Sequence, residues 1–254
     1  MVEILKWDHT IIDVNDINTA IRKFSDLGMI FHYGGKHEQW GTENAVGYFG
    51  LNYIELMSVY DNELANKVVR DGATSIYDCI RNLPAQHVNT LGFRTNDIKT
   101  VHERLLSQNF PVEDIQTGQR KEPDGNLITW KIFFVRNKFF NVAYPYVVQW
   151  NEPDYIRKES LIKKQLLVDH PQKGITVKQA IYHVTNPEMV AIKFGQFIGI
   201  NPVRNGNDFV IDFGVKQIVF TSGMENHITD LVFSDSGTLA GKVFQLGDAK
   251  LQFE

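Results

Sequence analysis

The chain has 254 residues, 43% hydrophobic and 22% charged, with a formal net charge of -4, the composition of an ordinary soluble globular protein with room for one large domain or two smaller ones. Scattered Lys and Arg give no basic footprint and argue against nucleic acid as a partner. No run approaches the ~18 apolar residues of a membrane span, and the N-terminus has no apolar signal core.

The opening strand, Asp8 to Val14, alternates His9, Ile11 and Asp13 on one face with Thr10, Ile12 and Val14 on the other. Asn15 or Asp16 caps a helix whose stripe is Ile17, Ala20, Ile21, Phe24 and Leu27, with Gly28 as its stop. Short β runs follow, Met29 to Tyr33 and Ala45 to Phe49, divided by a glycine-rich polar loop from Gly34 to Asn44. Asn52 to Val59 then places Tyr53, Glu55, Met57 and Val59 on one face, which completes a βαβββ pattern. A carboxylate in so apolar a strand requires a positive or hydrogen-bonding partner, and Glu55 is the residue that needs one.

Residues 61 to 84 read as a helical connection with Ile76, Tyr77, Ile80 and Leu83 as its stripe and Pro84 as its stop. Cys79, the single cysteine, reads there as a small buried hydrophobe and fits a reducing cytoplasm. The opening pattern then recurs: Asn89 to Ile98 superposes on Asp8 to Ile17 at a constant offset, and Ile98, Val101 and Leu105 repeat the helix stripe. Val112 to Lys121 and Leu127 to Val135 flank the turn Pro123-Asp124-Gly125, and Phe140 to Trp150 closes a second βαβββ unit.

Residues 153 to 174 read as a linker or bridging helix, with the basic run from Arg157-Lys158 to Lys163-Lys164 as a solvated face. A third opening follows: a strand from Ile175 to Val184, Asn186 as cap, Pro187 at the first helical position, then Val190, Phe194 and Phe197 before Gly199. The strands beyond it have no fourth helix. An α+β fold is therefore expected, with paired units over residues 1 to 152 and an abbreviated copy over 175 to 254 that packs on them or forms a homodimer surface.

Asp8-His9, the segment Gly34-Gly35-x-His37-x-x-Trp40-Gly41-Thr42-x-Asn44, and Asn52-Tyr53-Ile54-Glu55-Leu56 resemble the glyoxalase-like domain family of the vicinal oxygen chelate superfamily. The second unit adds Leu91-Gly92-Phe93-Arg94-Thr95, Pro123-Asp124-Gly125 and Val148-Gln149-Trp150, and the likeness runs from residue 6 to 152. It implies cup-shaped mixed sheets in which the first and last strand of each unit supply one metal ligand. Those positions map to His9 and Glu55 in the first unit, and to Thr90 and Gln149 in the second.

The resemblance thus implies a divalent metal (zinc, nickel, iron or manganese) on His9, Glu55 and Gln149. Catalytic roles fall to Glu55 and Gln149, in a metal-dependent lyase or isomerase acting on a small oxygenated metabolite. A Thr hydroxyl is a poor ligand and a Gln carbonyl a weak one. The alternative is therefore a metal-free protein that binds or sequesters a small molecule, with Glu55 paired to His9. His37, Trp40, Thr42 and Asn44 are expected in a loop closing over the substrate, or else in a loop that satisfies itself. Arg94 is expected to meet an anionic group of the substrate or an acid of the protein. Trp130 and Trp150 read as core, and His183 falls on the strand face opposite to that of His9 when the third opening is aligned.

Overall fold

The computed structural model describes residues 5–67, 73–74 and 85–254. The stripe expected at Ile76, Tyr77, Ile80 and Leu83, its Pro84 stop and Cys79 lie outside the described residues. The described helices are α1 (Ile17–Asp26), α2 (Asn62–Lys67), α3 (Ile98–Ser107), α4 (Asp154–Lys163) and α5 (Pro187–Ile198). None is long and apolar enough to cross a membrane.

Three of the helices start by the same local device. Asp16 Oδ1 accepts from the Thr19 amide at 2.7 Å, Asp97 Oδ1 from Thr100 at 3.1 Å and Asn186 Oδ1 from Met189 at 3.2 Å. Each bond satisfies one of the free N–H groups of a first helical turn. The three strand-then-helix openings legible in the sequence are therefore three capped helices.

The first unit contributes strands β1 (Lys6–Asp13), β2 (His32–His37), β3 (Thr42–Phe49) and β4 (Asn52–Val59). The second contributes β5 (His87–Arg94), β6 (Gln116–Lys121), β7 (Leu127–Phe133) and β8 (Tyr146–Trp150). These eight close into one barrel in the order β1-β4-β3-β2-β6-β7-β8-β5. β1 runs parallel to β4, β5 parallel to β8, and β1 antiparallel to β5. In the central ladder His9 lies opposite Gly92 and Ile11 opposite Thr90. The two units are thus related as the sequence offset requires, with His9 matching Thr90 and Ile11 matching Gly92.

The expected strand from Phe140 to Trp150 is broken. Phe140 and Asn141 take positive φ values of 48° and 62°, and Lys138–Phe139 folds back on Val142–Ala143 as a separate hairpin. Only Tyr146–Trp150 joins the barrel.

Strands β9 (Thr176–Val184), β10 (Val203–Asn205), β11 (Asp208–Asp212), β12 (Gln217–Ser222), β13 (His227–Ser234), β14 (Val243–Leu246) and β15 (Ala249–Phe253) form an open sheet in the order β10-β11-β12-β9-β13-β15-β14. It repeats the barrel pattern one strand short, and the short 3-10 turn Gly237–Leu239 stands where a fourth helix would be. Gln179 opposite Val232 and Ile181 opposite Asp230 occupy the places of His9 with Gly92 and Ile11 with Thr90. This corrects the expectation for His183, which lines the same face as Gln179 and Ile181 and is 2.6 Å from Thr229 Oγ1.

A continuous core joins the open sheet to the outside of the barrel. Phe49 meets Phe233 with ring centroids 5.9 Å apart, and Tyr144 meets Phe194 at 5.7 Å. The barrel interior is packed separately, around Ile11, Met57, Trp130 and Phe134. That division keeps the site inside the barrel apart from the main core.

Candidate functional site

Strand alternation turns Tyr53, Glu55 and Met57 of β4 into the barrel, where Glu55 is only 6% exposed. Asn44 of β3 donates through Nδ2 to Glu55 Oε1 at 2.5 Å. His9 of β1 holds its Nε2 3.6 Å from Glu55 Oε2, and His37 of β2 holds its Nε2 3.9 Å from Oε1. Both distances exceed a hydrogen bond. The barrel thus brings two imidazoles and an amide around one carboxylate.

Asp8 fixes His9 from behind. Burial alone would raise the Asp8 carboxyl, but Arg157, His9 and Arg94 hold it well below the ordinary carboxylate range. An ionised Asp8 can only accept, so the imidazole Nδ1, 2.9 Å from Asp8 Oδ2, carries the proton. In the neutral ring Nε2 is then left as an acceptor facing the cavity, and the Tyr146 hydroxyl donates to it. Tyr53 stacks on the ring at 4.6 Å and 17°. On the β5 side, a Cβ at Gly92 would stand 2.3 Å from His9 Cε1, so glycine is what admits the imidazole there.

His37 is held neutral. Burial, with the Arg120 charge adding to it, pushes its pKa down to about 3. An unfolded histidine titrates near 6.5, so between these values the unfolded chain binds one proton more than the folded one. Folding stability is therefore expected to fall with decreasing pH, by about 1.4 kcal/mol per pH unit from this group. Urea unfolding of wild-type and His37→Gln proteins at a series of pH values from neutral to mildly acidic checks this, the variant having the shallower dependence.

These side chains line a cavity with about 30 Å³ of free space, room for roughly two waters. Tyr53, Arg120 and Trp150 also line a neighbouring outer pocket of about 240 Å³, bounded by α4 and the β6–β7 hairpin. Arg120 therefore stands in the wall common to the outer pocket and the cavity that holds Glu55.

Of the residues singled out in the sequence, His9, His37, Trp40, Asn44 and Glu55 line the inner cavity together. His37, Thr42 and Asn44 are not in a loop, however. They lie on β2 and β3, and the glycines serve close packing: a Cβ at Gly34 would stand 2.2 Å from Asn44 Oδ1, and Gly35 has a φ of 127° beside a bulge. Thr42 stands behind His37, its Oγ1 3.1 Å from Nδ1, instead of lining the cavity. Arg94 is held by the protein's own acids, Asp154 at 2.9 and 3.2 Å and Asp8 at 3.3 Å, and it lines neither the inner cavity nor the outer pocket.

Gln149 requires the clearest correction. Its Oε1 accepts from the Ile98 amide at 2.9 Å, at the start of α3, while Tyr146, Val148 and Trp150 take the inward face of β8. Ile11 pairs with Glu55, and its counterpart Gly92 pairs with Tyr146. The residue matching Glu55 in the second unit is therefore Tyr146, and the four corners are His9, Glu55, Thr90 and Tyr146. The hairpin at Lys138–Ala143 hides this register from a sequence alignment.

Arg157, expected on a solvated face, is 6% exposed, and its NH1 donates to Asp8 Oδ1 at 3.1 Å. Trp150 is likewise more than core filling, since its Nε1 donates to Asp8 Oδ2 at 3.1 Å and its ring, like that of Trp130, lines the cavity. Sequence reasoning also missed Tyr146 and Arg120. Tyr146 had a signal, its inward parity with Trp150, whereas nothing in the run Gln116–Lys121 marks Arg120.

The donor set can be tested against the implied metal. An imidazole whose Nδ1–H is bound by a carboxylate is the arrangement metal-ligating histidines use, and Glu55 adds a second strong donor. The other two corners, Thr90 and Tyr146, are hydroxyls; burial, with Glu55 and Asp8 adding to it, pushes the Tyr146 phenol well above its usual range. Among the described residues no group of three or more His, Cys, Asp or Glu is placed to hold a metal ion. Two donors, His9 Nε2 and Glu55, are therefore of a type that suits a divalent cation, and Nε2 is taken here by the Tyr146 hydroxyl.

Residues 7–196 match the sequence model of a family described as a glyoxalase-like domain. No curated protein matches the chain. Among solved structures, a hypothetical protein from Staphylococcus aureus superposes with a TM-score of 0.87 at 22% identity over 99% of both chains. The Mn(II)-bound glyoxalase from Novosphingobium aromaticivorans gives 0.54 at 7% identity, over 92% of this chain and 66% of that one. At such identities the likeness is one of fold.

Proposed function

The chain belongs to the glyoxalase-like domain family, and from that premise we propose that it is a lyase or isomerase moving a proton on a small oxygenated metabolite inside the barrel, with a divalent metal held by His9 and Glu55. The observation that carries this reading is the approach of Glu55 Oε2 to an Asp8-oriented His9 Nε2 at 3.6 Å in an aromatic-walled cavity. When bound, the cation supplies Lewis-acid polarisation of a substrate oxygen.

The chain's own residues do the rest. Asn44 fixes one oxygen of Glu55 and leaves Oε2 facing the cavity as proton acceptor. Tyr146, kept protonated by burial and the nearby carboxylates, donates to an oxygen that gains negative charge. Trp40, Trp130 and Met57 exclude water around the reacting carbon. A cytoplasmic setting belongs to this reading and is supported by the single cysteine, Cys79.

Metal analysis after loading with manganese, nickel or zinc tests the site: stoichiometric metal is expected in the wild type and little in His9→Ala. Equal and negligible contents in both would remove the metal from the proposal. A metal-free binding protein is the second reading, favoured by the hydroxyls at Thr90 and Tyr146. Its mark would be a ligand whose thermal stabilisation of the protein is unchanged by a chelator.

A further inference from the structure

Arg120 sits at the threshold between the inner cavity and the outer pocket and lines both. It is 9% exposed, its NH1 reaches Asn44 Oδ1 at 3.4 Å, and its Nε has no acceptor among the described residues. No carboxylate pairs with it among the described residues. A buried guanidinium without a counter-charge costs several kcal/mol. Arg157 lines the same outer pocket, and its NH2 is also buried without an acceptor among the described residues.

The neighbouring cations have acids of their own. Arg157 is ion-paired with Asp8 and Lys164 with Glu122, while Glu55 and Glu152 stand in the walls without an ion pair to Arg120 among the described residues. Arg120 is thus the lining cation without an acid of its own, and a planar carboxylate suits an arginine edge.

We propose that the substrate carries a carboxylate, bound by Arg120 at the mouth of the inner cavity, so that the metabolite is a short hydroxy or oxo acid. The size follows from Asn44, which takes Arg120 on its Oδ1 and gives its Nδ2 to Glu55. One amide group therefore separates the guanidinium from the carboxylate of Glu55. A carboxylate on Arg120 leaves the carbon next to it, or the one after, within reach of Glu55. This inference rests on the reading of the inner cavity as the reacting site.

The test uses glycolate, lactate and pyruvate as probes, with lactamide and propane-1,2-diol as uncharged controls and inorganic phosphate as a second anion. Tryptophan fluorescence titration and thermal shift are the readouts, and the rings of Trp40, Trp130 and Trp150 line the cavity. The three acids are expected to bind and stabilise the wild type while the uncharged controls do not. Arg120→Met is expected to weaken acid binding by about 10- to 100-fold, and Arg120→Lys by less. The ligand-free Arg120→Met protein should melt no lower than the wild type, because its buried unpaired charge is gone; a merely structural arginine would lower the melting temperature.

Glu55→Gln should retain acid binding, which separates this inference from the reaction proposed above. Arg120-dependent binding without any proton exchange on the acids would sink the reaction and leave the carboxylate site standing. Absence of acid binding, equal binding by Arg120→Met, or binding of phosphate alone would overturn the carboxylate.

Discussion

Replacing Asp8 by Asn is expected to destabilise the protein by about 3–5 kcal/mol, the usual cost of leaving a buried charge without its partner. For a chain of this size that lowers the melting temperature by about 10 °C. Asp8 is fully buried and faces His9, Trp150, Arg94 and Arg157 at once. Asn cannot supply the charge, so Arg157, itself 6% exposed, is left buried beside an amide. Removing both ends should cost far less than the sum, because Met at position 157 takes away the stranded cation. The double-mutant cycle of Asp8→Asn with Arg157→Met, read by urea unfolding, measures that coupling. A value near zero would show that Asp8 stabilises the protein through His9, Trp150 and Arg94 and not through Arg157. The pH dependence carries the same sign. Because the folded Asp8 carboxyl is depressed, its contribution is fully present above the ordinary carboxylate range and is lost as the pH falls below it.

Much of the architecture was legible because it is written in local chemistry. The caps at Asp16, Asp97 and Asn186 and the recurrence of Asp8–Ile17 at Asn89–Ile98 are patterns a single chain displays by itself. What was lost is what depends on closure. That the paired units close into one barrel, and that His37 and Asn44 belong to its wall, follows from strand pairing across long separations. A glycine-rich segment reads as a loop unless the close approach of Asn44 and Arg120 to Gly34 is known. The expectation for Gln149 fails for a related reason: Phe140 and Asn141 break the strand before it, and the resulting register can be counted only through the pairing of Tyr146 with Gly92.

The same register shows why the barrel, and not the open sheet, carries the candidate site. By the pairings of Ile181 and Val232, the corners of the third and shortened units are Gln179, Val219, Asp230 and Gln252. Gln252 Nε2 donates to Asp230 Oδ1 at 2.7 Å, so the carboxylate there is satisfied within the sheet. Val219 stands where Glu55 would be and brings neither a ligand nor a base. The duplication has kept the geometry of four converging strands, while the His9 and Glu55 pair stands in the barrel alone among these copies.

Glu55→Gln is expected to lower the rate of proton exchange on substrate by about 100- to 10,000-fold, the range a positioned general base contributes. The substitution keeps shape and an acceptor for Asn44 Nδ2, so the folded protein should survive it. Exchange is read by proton NMR in deuterated water, with glycolate, lactate and pyruvate as first substrates. The two roles available to Glu55 can be separated by measuring metal content on the same samples. If metal is retained while exchange is lost, Glu55 acts as the base; if both are lost, it holds the cation. Tyr146→Phe provides the complementary result. Loss of a donor that moves from His9 Nε2 to the developing oxyanion should lower kcat by about 100- to 1,000-fold with little change in KM, because the substrate oxygen gains its charge only in the transition state. Wild-type exchange in Glu55→Gln would remove the proposed chemistry from this cavity altogether, since among the described residues no second carboxylate lines it.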